Sequence, residues 1–185
     1  YKQTLSWGRW INSSVNVGDA NNPVTLAAND TVHYIVGAPS VSLPSSGVVT
    51  YAHAGSTTPT GTITTPTTTG SPATTISPLA GVNVLNNSTM QVNFASTAND
   101  AIKLDMGFST TSQGDIRFQG QSPLNANFSL SNLTVNSQSC QNCAANGFFA
   151  GNNGAMIGLN YELTTNLGKG MAEITGVAAF EKTAP

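Results

Sequence analysis

The chain has 185 residues, enough for one well-cored domain, and charged residues make up only 8% of it, against about 25% in ordinary soluble proteins. Six Lys and Arg against eight Asp and Glu give a formal net charge of -2, which excludes the basic stripe of nucleic-acid-binding proteins and disfavours anionic membranes. No apolar run reaches the roughly 18 residues of a transmembrane helix, so no membrane insertion is expected. Ser, Thr, Asn and Gly supply the polarity, as in many secreted β-proteins, and we expect an extracellular or outer cell-surface location.

Both tryptophans lie near the start of the chain, in the stretch Leu5–Ile11 (LSWGRWI). We interpret this stretch as a first strand whose indoles, Trp7 and Trp10, close one end of the core. The alternative is an aromatic platform for a sugar, in which Arg9 stacks on an indole face. Trp7 and Trp10 are therefore candidate ligand-binding residues.

The next segments alternate between polar loops and short β-branched runs. Asn16–Asn29 predicts a loop, Asp30–Val36 (DTVHYIV) a strand and Val48–His53 a further strand. Ser56–Ala80 is rich in Thr, Ser and Pro and contains no charge, which predicts a long extended loop. Within it, Gly61–Thr65 is the one short edge strand expected, because Thr favours strands.

Two hairpins are predicted where apolar and polar residues alternate strictly. In the first, Thr89–Ala95 and Ala101–Phe108 are joined by a turn at Ser96–Asp100. In the second, Asp115–Phe118 is joined to Asn125–Val135 through a Gly/Pro-containing turn. Each strand presents one apolar face, which indicates that all of them cover a single core.

The C-terminal stretch Gly147–Phe180 holds alternating apolar runs joined by Gly/Asn-rich turns. We interpret it as the closing hairpin of the sheet, with Phe180 anchoring the seam. No helix follows its glycines, which excludes a phosphate-binding loop. The best helical candidate in the whole chain, Cys143–Asn146, is a single turn.

These elements predict an all-β fold of about eight to ten strands with long polar loops. Short hairpin connections favour an antiparallel up-and-down β-barrel, and a β-sandwich is the alternative. We expect a single domain over Tyr1–Pro185, with the Thr/Pro-rich loop at Ser56–Ala80.

The two cysteines, Cys140 and Cys143, lie in a loop rich in Ser, Asn, Gln and Ala. Two thiols cannot complete a four-ligand zinc site, and neither histidine lies near them in the sequence. We predict a local structural disulfide and an oxidising compartment. Free thiols and redox or metal chemistry are the alternatives.

The two histidines, His33 and His53, are the remaining candidates for ligand binding. If the strands that carry them pair as a hairpin, the imidazoles approach each other and could hold haem or a metal; packed or solvated side chains are the simpler interpretation. The carboxylates are dispersed, and neither a calcium loop nor a G-x-S-x-G elbow occurs. We therefore predict no enzyme, no catalytic residues, no metal site and no cofactor, with haem as the alternative.

Two stretches resemble a known family. Leu43-Pro-Ser-Ser-Gly-Val-Val-Thr-Tyr51 resembles the LP-x-x-G-x-x-x-Y strand of the barrels of transferrin-binding protein B and factor H-binding protein. Gly147–Tyr161 and Ile174–Phe180 are similar to their glycine-rich terminal strands, and similar barrels occur at the C-terminal end of bacterial FecR-domain surface proteins. The resemblance implies a β-barrel and carries no functional residue across. The low charge and the Ser56–Ala80 insertion depart from the family.

Three functional hypotheses follow. The first is a non-enzymatic bacterial cell-surface or secreted domain that binds a host protein or another ligand through its loops. The second is a structural subunit that associates with itself in an extracellular fibre or surface layer through an edge strand such as Gly61–Thr65. The third is a carrier of haem or another small ligand that uses His33 or His53.

Overall fold

The computed structural model of the protein confirms the all-β class. It describes residues 4–11, 15–17, 24–26, 31–66, 74–78, 81–111, 114–140, 142–166 and 170–183. No helix occurs in these ranges, so none of them contains a helical membrane span. The strands are β1 (Leu5–Trp10), β2 (Val15–Val17), β3 (Val24–Leu26), β4 (Val32–Gly37), β5 (Val48–Ser56), β6 (Thr60–Pro66), β7 (Thr74–Pro78), β8 (Asn83–Val84), β9 (Thr89–Asn93), β10 (Ile102–Ser109), β11 (Ile116–Ser122), β12 (Asn127–Ser129), β13 (Ser131–Val135), β14 (Gln138–Ser139), β15 (Ala144–Ala150), β16 (Met156–Asn166) and β17 (Met171–Lys182).

One large antiparallel sheet forms the body of the molecule. Its hydrogen-bonded path runs β12-β15-β16-β17-β5-β9-β10-β11-β13-β14. The strands β12 and β13 follow each other in the chain but lie near opposite ends of this path. β12 is its first strand and pairs with β15, whereas β13 is its last strand but one and pairs with β11. The described strands contain no pairing between the path's two ends, β12 and β14, so the barrel and the sandwich both stay predictions.

The first predicted hairpin is confirmed, and the second is confirmed in part, because Asn125–Val135 is two strands of which β12 pairs with β15. β9 pairs with β10 and β10 with β11, while β11 pairs with β13, which is only the second half of the predicted strand Asn125–Val135. In β10 every second side chain is buried, since successive residues of a strand point to opposite faces. The turn before β10 is stabilised by its own polar side chains: Asn93 Oδ1 accepts from the Ala95 N–H at 3.1 Å, and Ser96 Oγ accepts from the Ala98 N–H at 3.1 Å.

The predicted closing hairpin is also confirmed. β16 and β17 pair over eleven residue positions, from Met156–Glu181 to Asn166–Met171. The other edge of β17 pairs with β5 and β6, so the last strand joins the C-terminal meander to the N-terminal half of the chain. Phe180 is fully buried and lies opposite His53 of β5, as expected for a residue that anchors this seam.

Three local expectations are wrong. Within Ser56–Ala80 the described strands β6 and β7 pair with each other, so the segment holds two strands rather than one. The strand predicted at Gly61–Thr65 is present as part of β6, but it is not an edge strand, because β6 pairs with both β17 and β7. The expected loop Asn16–Asn29 takes part in a short β2–β3 pairing. The candidate helical turn Cys143–Asn146 is not helical, because Ala144–Asn146 are the first three residues of β15. In each case pairing with a neighbouring strand prevails over local composition.

A two-stranded ribbon of β1 and β4 lies on the outside of the large sheet and contacts β16 and β17. A second small core, separate from the main one, fills the space beneath it. Its buried members are Leu5, Ala150 and Ala179, with Trp7, Ile35, Phe148 and Met156 packed around them. Apolar residues on the outer surface of β15 to β17 are therefore covered by the ribbon.

Candidate functional site

The β1–β4 ribbon separates the two tryptophans onto opposite faces. Trp7 pairs in register with Ile35 and belongs with it to the core beneath the ribbon. Its indole lies directly against Gly55 of β5, where any side chain would collide with it. Trp7 therefore packs against a small core that is separate from the main one, and the expectation that both indoles close one end of the core is wrong for Trp10, which is 48% exposed. The two indoles do not form one sugar platform.

Trp10 lies on the solvent face of the ribbon, with 48% of its surface exposed. Its ring packs against Tyr34, with centroids 5.0 Å apart and planes inclined by 31°. Tyr34 lies across Gly8, where a Cβ atom would be only 2.5 Å from the tyrosine hydroxyl oxygen. Val36, 55% exposed, continues the same face of β4. We call Trp10, Tyr34 and Val36 the ribbon face.

Arg9 does not stack on either indole in the way the sequence suggested. Its guanidinium Nη1 donates to the carbonyl oxygen of Thr58 at 3.4 Å. The Thr58 carbonyl belongs to the connection between β5 and β6, so Arg9 links the ribbon to the main sheet.

The side chain of His33 joins the ribbon to the β5–β6 connection and to the first residue of β6 through hydrogen bonds. Its Nδ1 is 2.7 Å from Thr57 Oγ1, and its Nε2 is 2.8 Å from Thr60 Oγ1. Thr57 Oγ1 also accepts from the Val177 N–H at 3.3 Å. Burial lowers the pKa of His33, and the positive charge of Arg9 lowers it further. Both ring nitrogens have protein partners, so neither is free to bind a metal.

His53 lies elsewhere, on β5 against the edge of the Phe180 ring, with ring centroids 6.1 Å apart. Its Nε2 is buried and has no hydrogen-bond partner among the described residues. Burial lowers its pKa, although hydrogen bonds with the Asn86 side chain and the Gly55 backbone act to raise it. β4 and β5 are not paired, so the condition under which the two histidines would approach each other is not met.

A groove runs along β4 on the outer surface of the large sheet. It consists of two cavities of about 360 and 350 Å³ that share His33, Asn146, Asn160 and Val177. Thr31, Glu162 and Thr175 extend it at one end, and Asn127 and Phe148 at the other. We call this cleft the β4 groove.

Sequence reasoning missed the asparagines of this groove, and it missed Tyr34 of the ribbon face. Asn146 and Asn160 lie directly opposite each other on β15 and β16, and Asn127 lies on β12. Nothing distinguishes them along the chain from other asparagines. The sequence indicates only that each of them occupies an outward-facing position of an alternating strand. Whether the three lie on one surface depends on how the strands pair, which the sequence does not give.

The remaining polar clusters are local. Cys140 and Cys143 form the predicted disulfide, and Arg117 forms an exposed ion pair with Asp105. In the described ranges no group of three or more His, Cys, Asp or Glu side chains is placed to hold a metal.

No protein-family model matches the chain, and no curated protein matches it in sequence. Its fold is similar to solved structures of transferrin binding protein B from Haemophilus parasuis Hp5. A tryptophan-to-alanine variant of that protein has a TM-score of 0.51 and 10% identity, over 99% of this chain and 34% of that one. A variant with a tyrosine also replaced by alanine has a TM-score of 0.51 and 9% identity, over 98% and 33%.

This likeness concerns the fold alone. The chain spans about one third of the length of those proteins.

Proposed function

We propose that this chain is a non-enzymatic β domain of the bacterial cell surface or the secreted space, and that it binds a protein partner through the ribbon face. The proposal includes no catalytic residue and no cofactor. The contact surface is a hydrogen-bonded ribbon rather than the loops that the sequence suggested.

The observation that carries the proposal is the packing of Trp10 on Tyr34 at the surface. Tryptophan and tyrosine dominate the energetics of protein interfaces, because they bury large apolar areas while losing little conformational entropy. Trp10 is held in place by Tyr34 and is still about half exposed. Val36, 55% exposed, adds apolar area to the same face. An apolar patch of this kind, with aromatic anchors, suits a protein surface.

The fold supports the same conclusion. The similar structures belong to proteins whose name states that they bind transferrin. Transferrin is therefore the first probe to use, although the identity between the chains is only 9–10%.

The test is surface plasmon resonance on the immobilised chain with purified serum transferrin, both iron-free and iron-loaded. We expect saturable binding that Trp10→Ala weakens by about 30-fold, the effect of removing a hot-spot residue worth about 2 kcal/mol. The matched control is Val41→Ser, because Val41 is 99% exposed and lies outside the ribbon face. Its affinity should equal that of the unchanged chain.

Equal affinities of Trp10→Ala and the unchanged chain would refute the ribbon face as the contact surface. Absence of saturable binding to both forms would refute transferrin as the partner. Circular dichroism melting of Trp10→Ala separates loss of binding from loss of folding.

Self-association is a second candidate function, favoured by one observation. Among the described strands β7 pairs only with β6, so its other backbone edge is unpaired. Such an edge is a template for pairing with a second copy of the chain. Sedimentation velocity over a range of concentrations tests this, and a monomer at every concentration argues against it.

A further inference from the structure

The β4 groove carries an inference that does not rest on the ribbon face, although Tyr34 borders both surfaces. One wall is an edge of β4. This edge faces away from β1, and it pairs with no other described strand. The floor is the outer surface of β12, β15 and β16. From Thr31 to Ile35 the groove follows β4 for roughly 13 Å, at about 3.3 Å per residue. It is an elongated cleft, long enough for a short chain molecule.

The floor of the groove presents a row of side-chain amides. Asn127, Asn146 and Asn160 lie on three neighbouring strands, and all three are exposed. Each amide offers two N–H donors and one carbonyl acceptor. The Asn146 carbonyl oxygen accepts from Ser129 Oγ at 2.6 Å, which fixes the orientation of this amide and directs its NH₂ group elsewhere.

The other two amides have unused hydrogen-bonding capacity. Asn127 and Asn160 have no side-chain hydrogen bond with any described residue. Their strands hold them at fixed spacing, because Asn160 lies opposite Asn146 and Asn127 lies opposite Phe148 in the register. The row therefore places neutral donors and acceptors at a fixed backbone spacing, and only the Asn146 amide has its orientation fixed by a hydrogen bond.

The groove is almost without charge. Glu162, at one end, is the only carboxylate among its described lining residues, and neither Lys nor Arg lines it. The imidazole of His33 is already engaged by Thr57 and Thr60. The described lining therefore has no cationic side chain to bind an anionic ligand, and only the exposed carboxylate of Glu162 could pair with a cationic one.

An aromatic ring completes the groove at the end opposite Glu162. Phe148 is partly buried, and its ring lies over Gly158, where a Cβ atom would be 2.7 Å from the ring. Amides that fix orientation beside an apolar ring are the usual composition of a site for a small polar ligand.

We propose that the β4 groove binds a neutral oligosaccharide. Each sugar hydroxyl both donates and accepts a hydrogen bond, which matches the amide row of Asn127, Asn146 and Asn160. The part of Phe148 that lines the groove offers apolar contact to the C–H groups of a sugar, while the rest of its ring packs in the small core beneath the ribbon. No covalent step is involved.

An extended peptide added to the free edge of β4 is the competing occupant, since strand addition needs only backbone hydrogen bonds on the wall. Strand addition also needs pockets for alternate side chains of the peptide. The floor opposite β4 offers amides instead, which an apolar peptide side chain would desolvate without compensation. The observations therefore favour the saccharide.

The experiment uses the whole chain, labelled with ¹⁵N, and a printed array of defined neutral and sialylated oligosaccharides. Array hits are titrated and followed by the backbone and side-chain amide signals. We expect at least one neutral oligosaccharide to shift the side-chain amides of Asn146 and Asn160 saturably. The double variant Asn146→Ala/Asn160→Ala should bind it about tenfold more weakly or worse. Asn99→Ala, an exposed asparagine in the β9–β10 turn, is the matched control and should bind normally.

Three results would overturn the proposal: no saturable hit among the neutral sugars, a preference for sialylated ones, or undiminished binding by the double variant. A Thr/Val-rich extended peptide is titrated in parallel, and shifts of the β4 backbone amides by the peptide alone assign the groove to strand addition instead. Asn146 and Asn160 lie outside the ribbon face, so the double variant Asn146→Ala/Asn160→Ala should bind transferrin as the unchanged chain does. The experiments therefore test protein binding by the ribbon face and sugar binding by the β4 groove separately.

Discussion

The hydroxyl of Tyr51 donates a hydrogen bond to the carbonyl oxygen of Gly154 at 2.7 Å, across 103 residues of chain. Tyr51 is fully buried in β5, and Gly154 lies in the turn between β15 and β16, where its φ is +62°. This bond joins the two stretches that resemble the transferrin-binding family, Leu43–Tyr51 and the glycine-rich segment that begins at Gly147. Burial raises the pKa of Tyr51 to about 12, so the phenol remains protonated and remains a donor at physiological pH.

Replacing Tyr51 by Phe should reduce the free energy of unfolding by about 1–2 kcal/mol, because the Gly154 carbonyl loses its buried donor. Tyr161→Phe is the matched control. The Tyr161 hydroxyl is also buried, but it has no partner among the described residues. Its removal should therefore leave stability unchanged or raise it by about 1 kcal/mol.

Urea denaturation of the three proteins measures both effects. Equal destabilisation by the two substitutions would show that the Tyr51–Gly154 bond contributes nothing specific.

The seam between β17 and β5 should depend strongly on Phe180. Its side chain is fully buried and packs against His53. Phe180→Ala should cost about 3–5 kcal/mol, the usual effect of removing a buried aromatic ring and leaving a cavity. Deleting residues 171–180 removes the partner of β5, β6 and β16 and should abolish folding.

Met171→Ala provides the comparison within the same strand, since Met171 is 47% exposed, and it should change stability by less than about 0.5 kcal/mol. Thermal unfolding measures each variant. A deletion variant that still melts cooperatively would disprove the role assigned to β17.

Stability should fall as the pH is lowered through the histidine range. The pKa values of His33 and His53 are both below the usual 6.5 in the folded chain, mainly because of burial. The unfolded chain therefore binds protons first as the pH falls below about 6.5, and the folded state loses stability until its own histidines protonate. At His33 the charge of Arg9 acts in the same direction.

Urea midpoints between about pH 7.5 and pH 5, above the carboxylate range, measure this slope. His33→Gln and His53→Gln should each reduce it, and the double variant should be nearly flat. A double variant with the original slope would assign the pH dependence to other groups.

Neither histidine should bind haem. Both nitrogens of His33 are engaged by threonines, and Nε2 of His53 is buried. Adding haem to the purified chain should therefore give the Soret spectrum of free haem. A shifted Soret band that disappears in His33→Ala or His53→Ala would restore the carrier hypothesis.

Local patterns were sufficient for much of the fold. The alternation in Thr89–Asn93 and Ile102–Ser109 predicted their buried faces, because side chains of a strand alternate whatever its partner is. In β17 the alternation holds only at the start, since Gly176–Phe180 is buried on both faces. The disulfide was predictable for a similar reason, since Cys140 and Cys143 are close in the chain. The Thr-rich segment was predicted to be mostly loop, because composition does not show whether a neighbouring strand can pair with it. In the structure β6 of this segment forms backbone hydrogen bonds with β17.

The candidate sites depend on contacts between distant residues. Trp10 meets Tyr34 only because β1 and β4 pair in one particular register, and the same register turns Trp7 inward. The asparagines of the β4 groove come from three strands, and the ribbon forms its wall. The sequence alone therefore determined the all-β class, the hairpins and the low charge, which follow from periodicity and composition. Only the tertiary structure decided which side chains share a surface, because long-range strand pairing sets their relative positions.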